Sequence, residues 1–212
     1  MPFLINTGHS PTTNTWMNLA DQSKNITLVG NPTWNANSLE FTGNTNTYAT
    51  LPASLSFDMP NITVEFVISY PITNDYRVIL QEKSGRVVIG LYHSNRAIVT
   101  GSINGSIQTS FIVLPERSQG GKPNTHTVRY TDDNFNYNYL FNAGLVTARA
   151  GQNYWFADIL SYSLIGRRIT SYNSNQCHFI GKIQSIRIYN RILSDAEILY
   201  NHNVDKARFG IE

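Results

Sequence analysis

Fourteen carboxylates, five histidines and one cysteine are the groups in this 212-residue sequence with the reactivity for catalysis. Glycoside hydrolysis needs two carboxyls placed across the scissile bond, one as acid and one as base or nucleophile. The acids are Asp21, Glu40, Asp58, Glu65, Asp75, Glu82, Glu116, Asp132, Asp133, Asp158, Asp195, Glu197, Asp205 and Glu212. No two of them alternate along a predicted strand, and Asp132-Asp133 falls in a turn, where a solvated loop is the simpler reading. A serine nucleophile elbow, G-x-S-x-G, is missing; Gly101-Ser102 and Gly105-Ser106 sit at a hairpin and read as turn chemistry. Cys177-His178 adjoins a predicted strand, where a lone cysteine behaves as a small buried hydrophobe. One cysteine also excludes an internal disulfide and a multi-cysteine zinc site. No phosphate-cradling G-x-x-x-x-G-K-[ST] loop is present. The expectation is a protein that is not an enzyme.

Binding chemistry is better represented. A sugar site wants an exposed aromatic face flanked by amides and hydroxyls, and three stretches offer one: Asn136-Tyr137-Asn138-Tyr139, Gln152-Asn153-Tyr154-Trp155-Phe156 and Asn74-Asp75-Tyr76-Arg77. The candidate carbohydrate-binding residues are Trp155, Tyr154, Asn153, Tyr137, Tyr139 and Tyr76. Trp155 leads because its neighbours Asn153, Tyr154 and Asp158 are polar or amphipathic. The competing reading for each is packing at a sandwich edge or a subunit interface, where tyrosine and tryptophan are also enriched.

Composition agrees with a neutral partner. Charged residues make up 14% of the chain, against about 25% in an average domain. The surface is instead supplied by 24 asparagines and 19 threonines, a bias that suits carbohydrate and that AT-rich coding DNA would also produce. A net charge of +2 gives no sign of a polyanion-binding surface, and no nucleic-acid partner is expected. No apolar run approaches the ~20 residues that span a bilayer, and no membrane partner is expected.

The elements that must position any site are short strands. Residues 61–70 alternate, with Ile62, Val64, Phe66 and Ile68 on one face and Thr63, Glu65 and Ser69 on the other. Residues 77–82 and 86–92 flank Lys83-Ser84-Gly85; residues 96–102 and 106–114 flank Ile103-Asn104-Gly105, a type I′ turn signal. Residues 126–131 and 137–141 flank Asp132-Asp133-Asn134, and Asn142-Ala143-Gly144 turns the chain back again. In residues 179–190 the apolar phase changes between Ile183 and Ile186, which predicts a bulge near Gln184-Ser185 or burial on both faces. Helical chemistry comes only at the end. Ser194 and Glu197 form a capping box and Leu193 and Ile198 a hydrophobic staple, opening a short helix expected to fray near Asn203. Many strands and one terminal helix predict an all-β sandwich.

The run Phe179-Ile180-Gly181-Lys182-Ile183-Gln184-Ser185-Ile186-Arg187-Ile188-Tyr189-Asn190-Arg191-Ile192-Leu193-Ser194 resembles the closing pattern of laminin-G-like domains, F-x-G-x-I followed by hydrophobic-R-hydrophobic-Y-N-R-x-L-S and a short acidic helix. Residues 16–34, Ser38-Leu39-Glu40-Phe41, residues 48–51, residues 61–70, His126-Thr127-Val128 and Leu164-Ile165-Gly166 resemble further segments of that family in order. The resemblance implies a concanavalin A-like antiparallel β-sandwich (jelly roll) with a short C-terminal helix, spanning residues 16–212 after an N-terminal arm of residues 1–15. In such domains calcium is held by an opening D-x-S-G loop and a last-strand acid. Here Asp21-Gln22-Ser23-Lys24-Asn25 keeps the Asp and Ser but carries Lys24 in place of the glycine, and Gln184-Ser185 stands at the acidic position. No cofactor is required, and Asp21 is the candidate ligand if calcium binds. The closing pattern itself reads as architecture.

The resemblance also implies a lectin-like recognition or structural module of the kind found on bacteriophage heads and tails. Virion structural proteins, host or mucosal glycans and a homo-oligomer, of which a trimer is one form, are then the partners. Residues 1–8 carry neither a basic region nor a long apolar run, so the expectation is synthesis in a cytoplasm and a place in the virion. A bacterial cell-surface or secreted adhesion domain is the alternative. The arm is a candidate for docking on a neighbouring subunit by strand addition; disorder is the simpler reading.

Overall fold

The structure, a computed structural model, describes residues 3–6, 14–44, 46–52, 61–71, 76–81, 88–92, 96–103, 106–115, 121–131, 136–149, 163–167 and 177–212. With strands numbered in chain order, the first sheet runs β14 (Gly144–Arg149), β13 (Asn136–Phe141), β12 (Asn124–Thr131), β7 (Ile62–Ser69), β16 (Ile180–Tyr189), β5 (Ser38–Thr42) and β4 (Thr33–Asn35), with β1 (Phe3–Asn6) also paired to β16. The second runs β11 (Ser106–Val113), β10 (Arg96–Ile103), β9 (Val88–Tyr92), β8 (Tyr76–Gln81), β15 (Leu164–Ile165), β6 (Tyr48–Thr50), β3 (Ile26–Val29) and β2 (Thr15–Trp16). Among the described strands every ladder is antiparallel. The all-β sandwich with a C-terminal helix, α1 (Asp195–Phe209), is the fold.

Alternation decides what lies between the sheets. Ile62, Val64, Phe66 and Ile68 of β7 join Ile183, Ile186 and Ile188 of β16 and Val128 and Tyr130 of β12 in one apolar cluster. Ile79, Ile89, Leu91, Ala97, Val99, Ile112, Ile26, Leu28 and Ile165 of the second sheet complete it. The opposite face of β7 is also buried, Thr63, Glu65 and Ser69 included. A polar face out of water needs a cover that can pair with it, and α1 is that cover.

β16 does the most joining. Ile180, Gly181, Lys182 and Ile183 pair with β5; Ser185, Ile186, Arg187 and Ile188 pair with β1, which continues the row that β5 begins. The register with β7 slips between Ile183 and Ser185, so the expected bulge is present and the strand is buried on both faces besides. The arm expected over residues 1–15 is corrected here: β1 holds a place in the first sheet and Thr15 opens β2. Its strand addition is made to its own sandwich.

Gly181 has φ +142°, and a methyl group there would run into the Ser69 carbonyl on β7 and meet the Phe179 ring. Only glycine accepts both the backbone angle and the approach. Gly181→Ala is therefore expected to lower stability by more than about 1 kcal/mol, seen as a lower denaturant midpoint at unchanged slope. A midpoint equal to the parent's would refute this account of the position.

The helix differs from expectation in length. It does not fray near Asn203 but continues to Phe209 and ends on Gly210, which takes the left-handed conformation at φ 69° and donates to the Lys206 carbonyl at 3.0 Å. Its inner face past Ile198 is seated by His202 and Asp205, polar residues that an apolar-periodicity reading discards.

Candidate functional site

The candidate site lies where β16 hands over to α1. Thr63 on β7 pins the crossing: its hydroxyl donates to the Arg191 carbonyl at 2.9 Å and accepts from the Leu193 amide at 2.9 Å. Leu193 then tucks against Leu140 and Ile198, with Tyr189 and Ala143 packed alongside. Ser194 starts the helix as expected. Its hydroxyl accepts from the Glu197 amide at 3.3 Å, while the Glu197 carboxylate accepts from the Ser194 amide at 2.8 Å and hydroxyl at 2.9 Å. That capping box fixes Glu197, and Glu197 in turn takes a two-pronged bond from Arg191 at 3.0 and 2.6 Å. The Arg191 hydrogen bonds, with those from Ser194, hold the Glu197 carboxyl down to about 2. The Arg191 guanidinium lies over the Tyr189 ring, 6.0 Å from its centre.

These constraints leave an open groove of about 340 Å³, lined by Tyr189, Arg191, Leu193, Ala196, Glu197, Tyr200 and Asn201. Tyr200 is 69% exposed on the first turns of α1, and Tyr189 is half-buried on the opposite wall. Asn201 lines the same groove. Its side-chain amide donates to the Tyr189 hydroxyl at 3.1 Å and to Glu65 at 2.8 Å. Two phenol rings, an amide and a carboxylate around an open apolar floor are the equipment of a small-molecule recognition site.

Under the groove sits a polar seat. Arg187 of β16 donates to both carboxylate oxygens of Asp205 on α1, at 2.6 Å for the Nη1–Oδ2 contact, and lies 3.8 Å from Glu65. Asp205 is fully buried and Glu65 nearly so. Thr125 meets His202 at 3.1 Å, and Arg129 reaches Asp195 at 2.5 Å. Burial drives the Glu65 carboxyl up to about 7, against the pull of Arg187. A raised carboxyl is what a general acid needs, but Glu65 is 1% exposed under α1 and its neighbours are spoken for. The cluster fastens the helix.

The residues singled out in the sequence fall differently. Tyr137 and Tyr139 are a correction: both are about 1% exposed and belong to the core cluster, so they present no face to a ligand. Their alternation with Asn136 and Asn138 is real, but the rings point inward. Tyr139 meets His126 Nδ1 at 2.5 Å, and burial pushes that imidazole down to about 3, so it is neutral at ordinary pH. Tyr76 is half-buried and packs on Val78 and Cys177; Cys177 is buried, as a small hydrophobe. Asn153, Tyr154 and Trp155 lie outside the described residues. Asp21 caps the 3-10 turn Gln22–Lys24: it accepts from the Ser23 hydroxyl at 2.6 Å and amide at 3.1 Å, bonds that hold its carboxyl below the usual range, and Lys24 stands 3.4 Å away. Among the described residues no three His, Cys, Asp or Glu side chains gather where a metal could be held. The groove has no mark of its own in the closing pattern, where Tyr189-Asn190-Arg191 reads as architecture. The available signal was Ala196 and Tyr200, one helical turn apart, facing away from the staple.

No family model matches the chain, and no curated protein matches it in sequence. Solved structures do match it. The binding domain of botulinum neurotoxin serotype G superposes with a TM-score of 0.73 at 15% identity, over 97% of this chain and 51% of that one. The binding domain of Paraclostridial Mosquitocidal Protein 1 gives 0.74 at 13%, over 95% and 51%. A structure of botulinum neurotoxin type C, whose cell entry is dependent upon interaction with two ganglioside molecules, gives 0.73 at 13%, over 95% and 50%. The chain has the fold of about half of a toxin binding domain. At such identities the likeness establishes the sandwich and nothing finer, because one fold hosts many functions.

Proposed function

We propose that this chain is a non-catalytic recognition module that binds glycans in the groove between Tyr189 and Tyr200. The observation that carries the reading is the groove: a half-buried and an exposed tyrosine line it together with Asn201 and Glu197. Pyranose rings present an apolar C–H face to such phenols and hydroxyls to such polar groups. The toxin binding domains that share the sandwich support recognition over catalysis. The laminin-G-like closing pattern supports the finer reading, a bacteriophage virion component that decorates the head or serves as head fibre or tail adhesin for host or mucosal glycans. A homo-oligomeric assembly belongs to that reading. The toxin binding domains support a second one, an extracellular carbohydrate-binding adhesion domain using the same groove. Neither needs a cofactor, and calcium at Asp21 would have to displace Lys24.

A glycan array followed by calorimetry on the hits tests the site. Tyr200→Ala removes an exposed ring without touching the core, so the variant should fold as the parent does and bind at least about tenfold more weakly, a loss of about 1.4 kcal/mol. If Trp155→Ala abolishes binding while Tyr200→Ala leaves it intact, the platform lies at residues 153–155 instead. A blank array on the parent chain refutes glycan recognition and leaves a structural module. Proteomics of purified particles decides between the virion and the extracellular reading.

A further inference from the structure

We infer that the groove selects uncharged saccharides over acidic ones, because its one cation is already neutralised by its one anion. This rests on the glycan reading proposed above and specifies the ligand class.

Among the described residues that line the groove, Arg191 is the only cationic one and Glu197 the only anionic one. A lone arginine beside aromatic rings would be a ready receptor for a sugar carboxylate or sulfate, since its fork matches two anionic oxygens. Here both prongs end on Glu197, at 3.0 and 2.6 Å. Glu197 cannot swing aside cheaply, because the same carboxylate accepts from the Ser194 amide and hydroxyl and completes the helix cap. The positive end of α1, otherwise an anion site, is occupied by that carboxylate as well. An incoming acidic sugar would meet a guanidinium whose charge Glu197 already offsets, and would face that carboxylate as a like charge.

A neutral sugar meets the opposite situation. Glu197 Oε2 accepts from three groups, whereas Oε1 accepts from Arg191 alone. A carboxylate has about four lone-pair sites, so Oε1 keeps capacity for a sugar hydroxyl without disturbing the cap. The Arg191 guanidinium, 6.0 Å from the centre of the Tyr189 ring, adds its planar surface to the wall on which a pyranose face can rest. The groove thus offers stacking surface and acceptors but no free positive charge.

The experiment compares lactose, N-acetyllactosamine and chitotriose with 3′-sialyllactose and a sulfated N-acetyllactosamine, on the parent and on Glu197→Gln. Glutamine keeps the capping box but releases the guanidinium. In the parent, the best uncharged member should bind at least tenfold more tightly than the acidic ones; in Glu197→Gln that ratio should collapse or invert. A parent that prefers the acidic members, or a ratio unchanged in Glu197→Gln, overturns the inference. A second arm follows the Arg191 side-chain N–H resonance while sodium acetate is added as a bare anion. No saturable shift is expected in the parent and a saturable one in Glu197→Gln; a saturable shift in the parent overturns the charge argument even if no sugar binds. A blank panel with the expected acetate response instead refutes the glycan reading, and the ligand class falls with it.

Discussion

Arg187→Ala should cost this protein about 3–5 kcal/mol, the usual penalty for removing one partner of a buried ion pair. Arg187 sits 8% exposed between two carboxyls that belong to different elements, Glu65 on β7 and Asp205 on α1. Its removal would leave both in a water-poor layer with no cation. The size of the effect comes from that abandonment more than from the strength of the pair. Such a loss is a large share of the 5–15 kcal/mol by which domains are usually stable. The check is equilibrium denaturation, with circular dichroism to confirm that the variant still folds at low temperature. The double variant Arg187→Met with Asp205→Leu removes the pair in place of half of it and should recover most of the loss. A single-variant loss under about 1 kcal/mol would mean that water already reaches the cluster.

The sandwich was legible because its signals are local. Alternation in residues 61–70 specifies a strand with an apolar face, the phase change at Gln184-Ser185 specifies a bulge, and Ser194 with Glu197 specifies where the helix begins. What escaped was whatever depends on a partner distant in the chain. Glu65 and Asn201 are 136 residues apart, and their contact helps explain why a strand should bury a glutamate beneath a helix. The same blindness shortened the expected helix, since His202 and Asp205 look like surface residues until Thr125 and Arg187 are placed under them. Tyr137 and Tyr139 failed in the other direction. Alternation with asparagine tells that the rings share a face, but not that this face is the core one. The groove needs Tyr189 from a strand end and Tyr200 from a helix, and nothing in either segment announces the other.

Glu65→Gln should reshape the pH dependence of stability more than any other single change at this interface. In the unfolded chain the carboxyl titrates near 4.5; in the fold, burial carries it to about 7. Between those two values the unfolded chain gives up its proton while the folded chain keeps it, so stability is greatest below about 4.5 and is lost as the pH rises through 7. The spread corresponds to a loss on the order of 3 kcal/mol. Arg187, the Asn201 amide and the Thr127 hydroxyl favour the ionised form, and Asp205 opposes it, but desolvation outweighs their sum. His202 works the other way: burial, then Lys206, lowers its imidazole, so its contribution is lost on acidification below its ordinary value of 6.5. The two trends overlap just below 6.5, and only the Glu65 loss remains from there to 7. The comparison that isolates it is the parent minus Glu65→Gln, both followed by denaturation across this range. Glutamine can accept from Asn201 and donate to Thr127, so it keeps the geometry and never ionises. The difference should grow by about 3 kcal/mol in favour of the variant from pH 4.5 to 7 and stay flat above and below. A difference that is flat throughout, or a Glu65 carboxyl carbon resonance with its midpoint near 4.5, would show that the helix does not exclude water from its seat.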